Sequence, residues 1–224
     1  FQRRGQGPAT GVGPARHGLT QHQGHADVTL AIIDSGGANI GSVMHALKRL
    51  GTEPVFTADA ATIRRADRVF LPGVGAAGAA MSRLTELGLV QCIRELSQPV
   101  LGICLGMQLL FEKSDEDDTQ CLGIIPGVLK KLEPSEGVRV PHMGWNTTTA
   151  TGTDPLLSGL PDKPWFYFVH SYCAPVGAST LATCLHGESF AAIVRQGNFF
   201  GAQFHPERSA RSGARLLANF LELQ

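Results

Sequence analysis

The chain has no excess of either charge: 19 Lys and Arg stand against 19 Asp and Glu in 224 residues, for a formal net charge of +0. Such balance supplies no global field to attract nucleic acid or an anionic membrane. No apolar run approaches the ~20 residues that cross a bilayer as a helix. Near the beginning there is no apolar segment of the kind a secretory signal carries. The five cysteines, at positions 92, 104, 121, 173 and 184, form no close pair and no CxxC motif. Their odd number and wide spacing argue against a disulfide framework, a cysteine metal site or a redox pair. Cys92, Cys121, Cys173 and Cys184 are expected to be buried, reduced thiols. These absences favour a cytoplasmic enzyme that holds no metal.

The length suits one α/β domain with a full core. Residues 1–26 are rich in Gly, Gln, His and Arg and lack a periodic apolar pattern. They read as a disordered N-terminal extension or a cloning remnant, with His17, His22 and His25 solvated. Residues 27–224 form the domain. Val28–Asp34, Pro54–Ala58, Arg68–Leu71 and Val100–Ile103 read as strands, alternating with helical segments at Ile40–Leu50, Ala60–Arg65, Ala77–Leu87 and Leu89–Leu96. Alternation of this kind implies a mostly parallel sheet covered on both faces. A helix is expected over Met107–Lys113, then a solvated acidic loop at Asp115–Asp118. The second half reads as strands at Gly127–Leu132, Trp165–Val169, Leu181–Leu185, Ala191–Arg195 and Phe199–Phe204. Gln196-Gly197-Asn198 marks a hairpin turn, and Ser212–Leu223 is an amphipathic closing helix.

One cysteine has a special setting. Cys104 lies between Gly102 and Gly106, after an apolar strand and before a helix. A nucleophile flanked by glycines at a strand-to-helix turn is a nucleophile elbow, here with Cys in place of Ser. The helix that begins there presents its positive end to the sulfur. Such a thiol needs a base, and the base needs an orienting group. His205 meets the requirement: Pro206 holds it in extended backbone, and Glu207, two residues on, faces the same way. The N–H of Leu105, next after the nucleophile, is one expected oxyanion donor. A second is expected from Pro72-Gly73-Val74-Gly75, at the same carboxyl edge of the sheet.

Gly102-Ile-Cys-Leu-Gly-Met-Gln108 together with Gln203-Phe-His-Pro-Glu207 resembles the class I (triad) glutamine amidotransferases. Within them, Leu71-Pro-Gly-Val-Gly75, Val140-Pro-His-Met-Gly-Trp-Asn146, Tyr167-Phe-Val-His-Ser-Tyr172 and Gln203-Phe-His-Pro-Glu-Arg-Ser209 are similar to the glutaminase subunits of imidazole glycerol phosphate synthase. Asp34-Ser-Gly-Gly-Ala-Asn39, followed by Ser42-Val43, fits their opening loop. The resemblance runs from about residue 28 to the C-terminus. It implies a three-layer, flavodoxin-like α/β fold with a mostly parallel central sheet and an added antiparallel hairpin region.

The resemblance also implies roles. Cys104, His205 and Glu207 become the catalytic triad, with Val74 and Leu105 supplying the oxyanion hole. Gln108, Glu116, His170, Ser171 and Tyr172 become glutamine-binding residues, which revises the solvated reading of Glu116. Asn39, His142, Met143, Gly144, Trp145 and Tyr167 fall in segments that face a synthase partner, a (β/α)₈-barrel cyclase subunit forming a heterodimer. The implied reaction releases ammonia from glutamine for transfer through a channel to the partner's ribonucleotide, without metal or organic cofactor. A flip of the Gly73–Val74 peptide would couple the two sites allosterically. Two other readings remain at the level of sequence: a glutaminase serving pyridoxal phosphate, anthranilate or GMP synthesis, and a catalytically idle binding module of the same fold.

Overall fold

The computed structural model describes residues 28–36 and 39–223. The expected extension over residues 1–26 lies outside the described residues. Five parallel strands form the first half of the main sheet: β1 (Leu30–Ile33), β2 (Pro54–Thr57), β3 (Arg68–Gly73), β4 (Val100–Cys104) and β13 (Phe199–Ala202). The helices between them are α1 (Ile40–Arg49), α2 (Ala60–Arg65), α3 (Ala77–Glu86), α4 (Leu89–Arg94) and α5 (Leu105–Leu109). An antiparallel half follows, from β8 (His142–Ala150), β9 (Trp165–His170), β11 (Thr180–His186) and β12 (Glu188–Gln196). The nine-stranded order is β2-β1-β3-β4-β13-β12-β11-β8-β9. A smaller sheet, in the order β10-β7-β5-β6, joins β10 (Tyr172–Cys173), β7 (Ile125–Lys131), β5 (Phe111–Ser114) and β6 (Thr119–Gln120).

Three layers result, as expected for this class. On one face, α1 and α6 (Ala210–Glu222) bury Val43, Leu47, Leu216 and Phe220 against Ile32, Phe70 and Leu101. On the other, Ile63, Leu84, Ile93 and Met107 of α2 to α5 pack on Ile33, Leu71 and Val100. Alternate residues of each parallel strand feed opposite cores. That explains why these strands read as continuous apolar runs rather than alternating ones. The antiparallel part is larger than a hairpin, because β11, β8 and β9 extend the sheet beyond the expected β12–β13 pair.

Two elements differ from their sequence pattern. The helix expected over Met107–Lys113 ends at Leu109, and Phe111–Ser114 is strand β5. Phe111 and Ser114 are buried, and β5 pairs with both β6 and β7. Pairing within the small sheet outweighs the helical continuation. His142–Ala150, where the sequence pattern marks no strand, is a strand of nine residues lying against β9.

The turn at Cys104 is packed backbone against backbone. A Cβ on Gly106 would stand 1.6 Å from the Leu71 carbonyl oxygen, and one on Gly102 would stand 2.6 Å from the Gly106 carbonyl oxygen. Neither atom is the movable end of a side chain, so relief requires the sheet itself to shift. Gly106→Ala is expected to destabilise the fold by about 3 kcal/mol or more. Gly177→Ala, with no atom within 4 Å of the added carbon, is expected to change stability by less than ~0.5 kcal/mol. Thermal unfolding of the two variants checks the contrast.

Candidate active site

Three neighbouring parallel strands deliver the site from their carboxyl ends. Gly73 of β3 is the register partner of Cys104, and Ala202 of β13 is the partner of Ile103 on the other side. Residues beyond these ends therefore converge on the sulfur. Cys104 has φ 53° and ψ −109°, outside the broad regions open to an L-residue. The close contacts of Gly102 and Gly106 enforce that conformation. Strain of this kind, of order 1–3 kcal/mol, persists only where the surroundings over-determine it.

The candidate base, His205, sits just past β13. His205 Nδ1 lies 2.9 Å from Glu207 Oε1, and the same oxygen accepts from Asn39 Nδ2 at 2.8 Å. The backbone of this segment is fixed at several points. His205 N–H donates to the Tyr167 carbonyl at 2.9 Å, and the Ser209 hydroxyl donates to the His205 carbonyl at 2.6 Å. Gly213 lets α6 approach, since a Cβ there would stand 1.9 Å from the Pro206 carbonyl oxygen. Burial by itself lowers the pKa of His205. Hydrogen bonds and charge from Cys104 and Glu207 outweigh it and push that pKa up to about 10. His205 is therefore an imidazolium at neutral pH, with a proton to give to a departing group. Burial pushes the thiol of Cys121 up to about 11 and those of Cys173 and Cys184 up to about 12. They remain thiols, as expected from their spacing.

A cavity of about 260 Å³ opens at the elbow and is lined by Cys104, Leu105 and His205. Its other walls bring Val74, Gln108, Glu116, His170, Ser171 and Tyr172 to the same space. Glu116 lies in a single 3₁₀ turn and accepts from the Ala77 N–H at 2.7 Å, which places a carboxylate at the start of α3. Gln108 Nε2 donates to the Tyr172 carbonyl at 2.9 Å and to Gln203 Oε1 at 3.1 Å. Gln203 Nε2 in turn approaches Cys104 Sγ at 3.9 Å. Sequence reasoning assigns no role to Gln203, although it is fully buried and touches Cys104. The signal in the chain is its place at the head of Gln203-Phe-His-Pro-Glu207, where only His205 and Glu207 are given roles. Roomier cavities of about 480, 610 and 750 Å³ are lined by no histidine, and the one cysteine in their walls, Cys121, is a buried thiol.

The expected partner-facing residues divide into two groups. Met143 and Trp145 project from the outer face of β8, 63% and 50% exposed. Tyr167 of β9 is the register partner of Trp145, and their rings meet edge to face with centroids 6.0 Å apart. Trp165, also exposed, and Gly144, at φ 132°, belong to the same pair of strands. His142 does not reach that surface. It alternates with Met143, points inward and is buried against Phe168 and His170. Asn39 is committed to Glu207 and to Arg208, whose Nη2 donates to Asn39 Oδ1 at 3.3 Å.

The raised pKa of His205 gives a test with a defined sign. A folded-state value near 10 against an ordinary value of 6.5 contributes stability that is complete below pH 6.5 and lost as the pH climbs through about 10. NMR titration of the His205 ring is expected to show it protonated through neutral pH. In Glu207→Gln the ring should titrate closer to 6.5, and the alkaline loss of stability should shrink. A ring that is neutral at pH 8 in the unaltered protein is the contrary outcome.

The glutamine amidotransferase class-I family model matches residues 31–223. An imidazole glycerol phosphate synthase subunit HisH from Xanthomonas axonopodis pv. citri is 56% identical over 194 residues, 87% of this chain and 97% of that relative. A subunit of the same name from Xylella fastidiosa strain Temecula1 is 54% identical over the same shares. Among solved structures, a putative GMP synthase protein from Thermoplasma acidophilum superposes with a TM-score of 0.66 at 18% identity, covering 87% of this chain and 92% of that one; it shares the fold. With the family model spanning almost every described residue, and relatives above half identity along nearly their whole length, this chain belongs to the glutamine amidotransferase class-I family.

Proposed function

We propose that this chain is the glutaminase subunit of an imidazole glycerol phosphate synthase. The observation that carries the reading is the Cys104 elbow beside the His205–Glu207 pair, in a cavity that also holds Gln108 and Glu116. Cys104 Sγ attacks the side-chain amide carbon of glutamine. The N–H groups of Val74 and Leu105 hold the oxyanion, a contribution of about 3–4 kcal/mol for each such donor in acyl transfer. His205 donates its proton to the departing nitrogen, releasing ammonia and leaving a γ-glutamyl thioester on Cys104. Water, deprotonated by His205, then hydrolyses the thioester to glutamate. Glu207 keeps the imidazole ring oriented throughout. Glu116 presents a carboxylate for the α-ammonium of glutamine, while Gln108, His170, Ser171 and Tyr172 shape the pocket around it. These steps draw on side chains, backbone and water alone.

Ammonia released to solvent is wasted, so the reading requires a partner that consumes it. That partner is a cyclase subunit with a (β/α)₈ barrel, forming a heterodimer in the cytoplasm and receiving ammonia through a channel. Its docking surface is the exposed apolar face of Met143, Trp145 and Tyr167. The Gly73–Val74 peptide is the allosteric element: it lies beside the elbow, where a Cβ on Gly73 would stand 3.0 Å from Leu105 Cβ. A service to GMP synthesis is disfavoured, because relatives named for imidazole glycerol phosphate synthase are 54–56% identical and the GMP synthase neighbour only 18%.

Two measurements test this. Glutamate release, assayed with the cyclase subunit plus its ribonucleotide, is expected to fall by at least ~10³-fold in Cys104→Ala, as for loss of a nucleophile elsewhere. Persistent release in that variant overturns the triad. Trp145→Ala is expected to weaken binding of the cyclase subunit by about 1–3 kcal/mol, measured by calorimetry, while leaving the thermal unfolding of the isolated chain nearly unchanged.

A further inference from the structure

Behind the outward face of β8 lies a cluster of three histidines, of which only His170 also lines the pocket. His142, His170 and His186 pack together, with His142 stacked on His186 at a centroid distance of 4.0 Å and on Phe168 at 4.8 Å. His186 is itself anchored, its Nε2 donating to the Arg139 carbonyl at 2.8 Å. The ring nitrogens then form a chain. His170 Nδ1 lies 2.9 Å from the Tyr172 carbonyl oxygen, His142 Nδ1 lies 3.0 Å from His170 Nε2, and Asn146 Nδ2 lies 3.2 Å from His142 Nε2.

The direction of every bond follows from its ends. A carbonyl oxygen only accepts, so His170 Nδ1 carries hydrogen. An amide nitrogen only donates, so His142 Nε2 carries none. The remaining bond runs from His142 Nδ1–H to His170 Nε2, and both rings are neutral Nδ1–H tautomers. Burial agrees with this, pulling the pKa of His142 down to about 3 and that of His170 down to about 4. The chain ends where the pocket begins. The Tyr172 carbonyl that accepts from His170 also accepts from Gln108 Nε2 at 2.9 Å, and Gln108 reaches Cys104 through Gln203.

We propose that His142 and His170 are positioning residues for glutamine: their directed pair of hydrogen bonds, anchored by Asn146, fixes the Tyr172 carbonyl and through it the Gln108 amide in the wall of the pocket. This rests on the glutaminase reading. His142 touches neither the pocket nor the exposed face, so its effect is on the placement of groups that do. The chain starts one residue from Trp145, which ties pocket geometry to the strand that carries the exposed apolar patch.

Three substitutions separate hydrogen bonding from packing, each assayed in the complex with the cyclase subunit. His142→Phe keeps a stacked ring and removes the donor. His142→Asn restores a donor at the Nδ1 position, and His142→Gln puts its amide at the Nε2 position instead. His142→Phe is expected to raise KM for glutamine roughly tenfold, the scale of one buried hydrogen bond, with kcat changed less than threefold. His142→Asn should recover most of that loss and His142→Gln should not. Unaltered KM in His142→Phe, or equal impairment in His142→Phe and His142→Asn, overturns the proposal. Long-range ¹⁵N–¹H correlation on the unaltered protein provides a readout independent of any variant. Neutral Nδ1–H tautomers at positions 142 and 170 are expected, and an Nε2–H tautomer at either position overturns the chain. If the unaltered complex releases no glutamate, it is the glutaminase reading that fails, while the tautomers still report on the hydrogen bonds.

Discussion

The backbone contact between Gly106 and the Leu71 carbonyl governs the rest of the site. It brings the first turn of α5 against β3 at a distance that no side chain permits. Gly102 makes the same concession one turn earlier, in β4. Between them Cys104 has no room to relax into ordinary helical or extended backbone, and it holds φ 53°. The strain is thus sustained by the packing of a sheet interior, where backbone shifts are costly. The result is a sulfur held at the carboxyl edge of the sheet, where the ends of β3 and β13 meet it.

Electrostatics builds on that placement. His205 arrives from β13 with its backbone tied to Tyr167 and Ser209, so the ring needs only one polar contact to be oriented. Glu207 supplies it, and Asn39 from the start of α1 holds Glu207 in turn. Desolvation opposes the charged imidazole, yet a carboxylate on one side and sulfur on the other reverse the balance. The same burial prevails at His142 and His170, which have no carboxylate beside them; the hydrogen bond to the Tyr172 carbonyl offsets it only in part at His170, and both stay neutral. Two kinds of histidine within one core region thus differ by their neighbours, not by their depth.

The β8–β9 pair joins surface and site. Its outer face carries Met143, Trp145, Trp165 and Tyr167, while its inner face carries His142, Phe168 and His170. Period-two alternation means neither face can shift without the other. Tyr167 shows the consequence within one residue: its ring stands beside Trp145, and its carbonyl accepts the His205 N–H.

Much was legible in the sequence because local chemistry demanded it. Glycines at 102 and 106 around a cysteine mark a backbone too tight for any side chain, and His205 with Glu207 follows from one extended stretch after a strand. The alternation of strands and helices up to Cys104 determined the layered fold. What the sequence left open was decided by long-range pairing. Phe111–Ser114 continues a helical pattern and becomes a strand because β6 and β7 offer it partners. His142 falls in a segment expected to face a partner and is buried because β8 pairs with β9 and turns that side chain inward. Gln203 opens the Gln-Phe-His-Pro-Glu motif with no role marked in it, and the parallel pairing of β13 with β4 brings it to Cys104. By itself the sequence determined the Cys104 elbow, the His205–Glu207 pair and the layered α/β class, since each depends on residues close together in the chain. Tertiary structure alone decided which polar side chains surround them, since those contacts span 64 to 99 residues and arise from strand order rather than from spacing.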